Sequence, residues 1–240
     1  MLSKNQLKFI QGLKKKKIRQ SERLFLAEGI KVVEELLKST FILHKLYFTE
    51  AYSNPLKVAN YHLITEKELQ LISDFSTPNQ VLGIFEIPDV KDMVHEGITV
   101  LLDEINDPGN LGTIIRLCDW FGVQQLVCST NTVDCYNQKV VQASMGSLAR
   151  VQVTYADLTA YLKAEKRTIY GTFLNGDNVY QTDLESDAVI ILGNEANGIS
   201  DNIRASVDKK LTIPQFGQQQ LTESLNVAMA TAIFLSEFKK

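Results

Sequence analysis

The sequence predicts an α/β protein with a mostly parallel sheet, preceded by a smaller α/β unit. Three observations carry that prediction. Short apolar runs alternate with helical patterns along most of the 240 residues. The run "DAVIILG" (187–193) is apolar throughout, as befits a strand covered on both faces. The stretch "DVKDMVHEG" (89–97) interrupts the apolar pattern and reads as a linker, so residues 1–88 form the small unit and 98–240 the large one.

In the small unit, residues 3–12 read as a helix with Leu7, Ile10 and Leu13 on one side. A strand follows at 23–29 and an amphipathic helix at 30–39. Strands at 42–49 and 61–65, a short helix at 66–73 and a strand at 80–88 complete it, with Pro88 as the stop. The large unit repeats the alternation. Its strands are expected at 98–103, 125–128, 150–154, 168–173, 188–192 and 209–213, and its helices at 111–121, 137–144, 157–165, 200–206 and 225–237. Ligands in such sheets sit beyond the carboxyl ends of the strands.

Composition narrows the function classes. No apolar run approaches the roughly 18 residues of a membrane span, and "MLSKNQLKFIQGLKKKK" has no signal-peptide core. Cys118, Cys128 and Cys135 form no C-x-x-C pair, and His44, His62 and His95 are scattered, which argues against a disulfide framework and against a metal site. A reducing, cytoplasmic setting is expected. The net charge of −3 hides an asymmetry: 13 basic and 10 acidic residues before position 91, against 12 and 18 after it. Lys14, Lys15, Lys16, Lys17, Arg19 and Arg23 form a local positive patch. It reads either as a solvated helix or as an arm that contacts phosphates.

Three clusters lie at strand ends. In "NDPGNLGTIIR" (106–116), Asp107-Pro108-Gly109 turns the chain, and Asn110 is placed to cap the helix that carries Arg116. Arg116 lies six residues after Asn110, roughly 9 Å along the axis, and helical side chains lean back toward the N-terminus. Its apolar neighbours imply that it needs partners. In "LGNEANGIS" (192–200), Glu195 sits between Gly193 and Gly198 after a buried strand, where an acid suits a bland turn, a polar ligand or an arginine. In "TIPQFGQQQLTESLNVAMATAIFLSEF" (212–238), Ser224 or Thr222 is a candidate cap for a helix rich in small residues. Phosphate-loop and dinucleotide fingerprints are absent.

Taken in order, the three clusters resemble the signature of the SpoU/TrmH family of RNA ribose 2′-O-methyltransferases, of the SPOUT class. The matching residues are Asn110, Gly112 and Arg116, then Leu192, Gly193, Glu195 and Gly198, then Ile213, Pro214 and Ser224 to Val227. "DCYNQKVVQASMGSL" (134–148) resembles the family's intervening helix and turn, and residues 1–88 resemble the small substrate-binding domain that many members carry.

The resemblance implies a C-terminal trefoil knot, a homodimer and bound S-adenosylmethionine. Gly193, Ile213 and Leu225 would hold the cofactor, with Thr172 a further candidate. Arg116 would activate the ribose hydroxyl, and Asn110 and Ser224 would orient it or the ribose. Glu195 would hold Arg116 or a cofactor group, and Asn226 would fix the third turn. Guanidinium groups stay protonated in proteins, which favours gripping a phosphate and steadying an alkoxide over acting as a base. The Lys14–Lys17 run with Arg19 and Arg23 would meet structured RNA, ribosomal RNA ahead of transfer RNA by analogy. Two departures stand out: a longer stretch between Gly217 and Ser224, and Gln142 where the family often has an arginine that meets RNA. The competing reading is an inactive RNA-binding or ribosome-associated protein of the same fold, against which the intact motif residues count. Base N-methylation would call for an aspartate base. A nucleotide enzyme not acting on RNA would leave the basic arm unexplained.

Overall fold

The computed structural model describes residues 1–54, 56–89, 92–93, 96–217, 219 and 223–240. Parts of the expected linker 89–97, and Thr222, lie outside the described residues. The chain divides into two compact units, Met1–Val90 with Asp134–Ala149, and Lys91–Val133 with Arg150–Lys240.

In the first unit, α1 (Lys4–Gly12) opens on a capping box. Ser3 accepts from the Gln6 amide, and the Gln6 side chain accepts from the Ser3 amide. After α2 (Lys16–Glu22) come β1 (Leu24–Glu28), α3 (Ile30–Leu37), β2 (Leu43–Phe48), β3 (Tyr61–Leu63), α4 (Glu66–Ile72) and β4 (Val81–Glu86). The sheet order is β1-β4-β2-β3. β4 runs antiparallel to β1 and β2, and β3 parallel to β2. The apolar side of α1, with Ile10 and Leu13, closes on Leu26, Leu69, Ile72 and Leu82.

The second unit begins with β5 (Ile98–Leu102), α5 (Pro108–Trp120) and β6 (Gln125–Ser129). The chain passes through α6 (Gln138–Ser144), which belongs with the first unit, to β7 (Gln152–Ala156), α7 (Leu158–Ala164), β8 (Thr168–Asn178), β9 (Ala188–Leu192), α8 (Asp201–Arg204), β10 (Lys209–Thr212) and α9 (Val227–Phe238). Among the described residues the sheet has six strands, ordered β10-β8-β9-β5-β6-β7 and parallel throughout. β5, β6 and β9 are buried at every residue, the expected signature of a sheet covered on both faces. From β5 the chain moves outward through β6 and β7, then returns to the other side of β5 through β8 and β9. That reversal places a crevice beyond the carboxyl ends of β5 and β9.

β8 departs from expectation by continuing past 173 to Asn178. Its pairing with β10 jumps from Lys210 opposite Gly171 to Leu211 opposite Asp177. Gly176 is needed in this continuation of the strand. A Cβ there would lie 2.6 Å from the Lys210 carbonyl oxygen.

Residues 134–149, read from sequence as part of the large unit, pack with the first. Arg19 is 3% exposed and pairs with Asp134 at 2.5 Å. Tyr136 packs against Phe25, and the Gln138 side-chain amide donates to Glu28 at 2.9 Å. Such tertiary contacts leave no periodic trace in the sequence. Gln142 turns its amide oxygen inward beside Gly29, where it is buried without a hydrogen-bond partner among the described residues.

Glu28, 1% exposed, also accepts from the Ser73 hydroxyl and from the Asp74 amide. Burial nevertheless raises its pKa above the ordinary carboxylate value. A carboxyl raised in this way favours the folded state below its unfolded pKa, and that contribution is lost as pH rises through the folded value. Glu28→Gln, which cannot ionise, is therefore expected to melt higher than the parent at neutral pH, with the difference vanishing in acid. Thermal unfolding across pH checks this. A variant weaker at every pH would mean that the charged hydrogen bonds outweigh the desolvation.

Candidate active site

The crevice is built by the segments that follow β5 and β9. Asp103, buried at the end of β5, accepts from the Ser200 amide at 2.8 Å, while its own amide donates to the Leu192 carbonyl at 2.9 Å. Glu104 next to it adopts a left-handed backbone, φ 58°. Three bonds hold it there: its amide donates to Ser129 Oγ, its carboxylate accepts from Asn131, and its carbonyl accepts from Asn194 Nδ2 at 2.7 Å. The Asn194 side-chain oxygen accepts from the amides of Ala196 and Asn197, and Asn194 and Gly198 exchange backbone bonds of 2.9 and 3.0 Å. The turn that carries Glu195 is thereby closed on itself. Gly193 is required at its neck, since a Cβ would lie 2.1 Å from Gly198 C.

α5 starts earlier than expected, and the cap is Asp107 rather than Asn110. Asp107 accepts from the Asn110 amide at 2.8 Å, and Pro108 occupies the first turn, where its missing N–H costs nothing. Asn110 is thus freed to work through its side chain. Its Nδ2 donates to Glu195 Oε1 at 2.8 Å, and its Oδ1 accepts from Asn226 Nδ2 at 2.9 Å. Asn226, not Ser224, caps α9, accepting from the amides of Ala228 and Met229. Each amide has its oxygen and nitrogen assigned by the bonds it makes. A polar chain Asn226–Asn110–Glu195 therefore joins the three sequence clusters.

The remaining candidates lie outside that chain. Arg116 is exposed on α5, with no hydrogen bond or ion pair among the described residues. Its apolar neighbours Ile114, Ile115 and Cys118 point into the core, so it needs no protein partner, and Glu195 bonds Asn110 instead. Ser224 is exposed and makes no hydrogen bond among the described residues. Thr172 donates to the Ile191 carbonyl at 3.1 Å. Thr172, Gly193 and Ile213 are half-buried on β8 and just beyond β9 and β10, three adjacent strands, and Leu225 is half-exposed before α9.

In the first unit the basic run splits. Lys14 pairs with Asp74 at 2.5 Å and Arg23 with Asp89 at 2.8 Å. The Arg19 guanidinium is spent on Asp134 and on the carbonyls of Leu13 and Lys14, so it is removed from the positive surface expected of it. Lys15, Lys16 and Lys17 are exposed.

Asp103, Glu104, the capping role of Asp107 and the role of Asn194 are not among the expectations from sequence. The adjacent acids closing a buried strand, and the Asp-Pro pair, were the available signals. The left-handed backbone of Glu104 left none.

Residues 97–236 match the SpoU rRNA Methylase family, and residues 4–83 match the MRM3-like substrate binding domain. The chain is 33% identical to the 23S rRNA (guanosine(2553)-2'-O)-methyltransferase RlmP of Bacillus subtilis, over 97% of this chain and 96% of that protein. Among solved structures it resembles a putative RNA methyltransferase of the TrmH family from Porphyromonas gingivalis, with TM-score 0.90, 39% identity and coverage of 99% and 98%. It also resembles an AdoMet-bound rRNA methyltransferase from Sinorhizobium meliloti, with TM-score 0.86, 29% identity and coverage of 100% and 95%.

Proposed function

Because the chain belongs to the SpoU rRNA Methylase family, we propose that it transfers a methyl group from S-adenosylmethionine to a ribose 2′-hydroxyl in RNA, with ribosomal RNA the substrate ahead of transfer RNA. The observation that carries the reading is the Asn226–Asn110–Glu195 chain, whose Asn110 shares α5 with an arginine that has no protein partner among the described residues. An inactive protein of the same fold would have no need to keep that arrangement.

The residues present suit the cofactor. Thr172, Gly193 and Ile213 offer uncharged, half-buried surface on and beyond neighbouring strands, and Leu225 offers an exposed aliphatic side chain before α9. Such surroundings match a purine ring and its ribose. When bound, S-adenosylmethionine supplies an activated methyl group on a sulfonium. The rest falls to the chain. Arg116, a permanent cation with a planar fork, grips an RNA phosphate and steadies the charge that develops on the ribose oxygen. Glu195 fixes Asn110, and Asn226 fixes it from the other side. Asn110, together with Ser224, orients the ribose. Alignment of the hydroxyl is the main requirement of the transfer.

The same reading includes a trefoil knot within 98–240, residues 1–88 as the RNA-binding domain and a cytoplasmic setting. It also includes a homodimer. Trp120 on α5 is 85% exposed and Met229 on α9 62% exposed, on two helices that pack together, which supports a partner surface there. Among the described residues no helix is long and apolar enough to cross a membrane.

The test is direct. The protein is incubated with labelled S-adenosylmethionine and unmodified total RNA, and the RNA is digested to nucleosides. A labelled 2′-O-methylnucleoside is expected, and label confined to a base would overturn the reading. Asn226→Asp refines the test. An aspartate still caps α9, so the melting temperature should move by less than the ~1 kcal/mol equivalent of a lost cap. It cannot donate to Asn110, so methyl transfer should fall at least tenfold. Transfer at the parent rate would remove Asn226 from the machinery.

A further inference from the structure

The first 21 residues contain seven basic side chains and no acid. Helix α1 spends its apolar side on the core through Ile10 and Leu13, which leaves that side unable to insert into a lipid surface. The exposed side chains of α1 and of the start of α2 include a set of lysines. Lys4, Lys8, Lys15, Lys16 and Lys17 are exposed, and none has an ion-pair partner among the described residues. Between α1 and α2 runs a groove with Phe9 and Ile18 as its apolar floor and Asn5, Lys8 and Lys15 on its rim. Both floor residues pack against the core cluster around Ile10 and Leu13 and are only partly buried by it. A partly buried aromatic side chain flanked by two ammonium groups without ion-pair partners among the described residues, and by an amide, complements a polyanion that carries planar rings.

We propose that this groove seats an unpaired nucleotide of the RNA substrate, its base against Phe9 and Ile18 and its flanking phosphates on Lys8 and Lys15. The inference rests on the reading of the chain as an RNA-modifying enzyme and adds to it the place and kind of contact. Charge alone would favour a duplex as readily, since a duplex has the denser phosphates. The apolar floor is what selects a single strand, because paired bases present no free face.

The experiment uses the full chain with a fluorescent oligouridylate and an RNA duplex of equal length, titrated over a salt series. The parent should bind the single strand more tightly than the duplex. Lys8→Gln with Lys15→Gln should weaken single-strand binding about tenfold. It should also flatten the plot of log affinity against log salt by about 1.4, for two phosphates at about 0.7 each. Phe9→Leu should weaken binding about fivefold with an unchanged salt slope, since stacking is lost and no charge. Melting curves separate these effects from misfolding, and the lysine pair, being exposed, keeps the test open if Phe9→Leu unfolds. Equal affinity for the duplex, or parent-like binding by both variants, would overturn the proposal. Methyl transfer assayed in parallel separates the two readings. Transfer by the parent together with unaffected groove variants sinks the groove alone. Groove-dependent binding without any transfer sinks the enzymatic reading alone.

Discussion

Arg116→Ala is expected to lower methyl transfer to RNA by about 100- to 1,000-fold, the range found when one group that stabilises developing oxyanion charge is removed. Stability should change by no more than about 0.5 kcal/mol, because the side chain is exposed and without a partner among the described residues. Calorimetric binding of S-adenosylmethionine should likewise persist. Arg116→Lys keeps the charge but loses the planar fork, so it should fall between parent and alanine variant. The check is single-turnover transfer at saturating RNA, alongside melting curves. An alanine variant that transfers at the parent rate would end the case for this arginine. One that also loses cofactor affinity would assign it to binding rather than to the reacting oxygen.

The second large effect concerns Gly193. An alanine Cβ there would meet backbone on the far side of the turn, at 2.1 Å from Gly198 C and 2.2 Å from Ile199 N. Neither neighbour is a flexible side-chain tip, so the turn must open. Gly193→Ala is expected to cost about 3 kcal/mol of stability, the upper part of the range for overpacking. It should also abolish measurable cofactor binding, since the neck of the turn forms part of the proposed pocket. Gly198→Ala is the contrast. Its φ of 68° strains an alanine, but a Cβ there meets nothing within 4 Å. A loss of about 1–2 kcal/mol with cofactor binding retained is expected. Equal behaviour of the two variants would show that strain, not collision, governs the turn.

Much of this was legible beforehand. β9 announced itself as a continuous apolar run, and α3 and α4 by their periodicity. Asn110, Glu195 and Asn226 are named by the resemblance to the SpoU/TrmH motifs, in which they are matching positions. The bonds among them could not be read. By sequence Asn110 is a cap, because it precedes an apolar helix, whereas Asp107-Pro108 starts that helix a turn sooner and releases the asparagine side chain. Ser224 and Thr222 are the candidate caps by sequence, whereas it is the Asn226 side chain that accepts the first amides of α9. Arg19 looked like part of a positive surface because charge is visible in sequence and burial is not. Its partner Asp134 lies 115 residues away.

The two bonds at Asn110 span 85 and 116 residues of chain. A site tied together over such separations exists only when the last helix has docked, and elements held by few contacts open before the whole fold does. Fraying at the start of α9 would remove the Asn226 amide while the buried β5 and β9 stayed intact. Heat should therefore silence this protein several degrees before it unfolds it. Competence is a property of the assembled tertiary structure, and the separate helices and turn that carry these residues do not guarantee it.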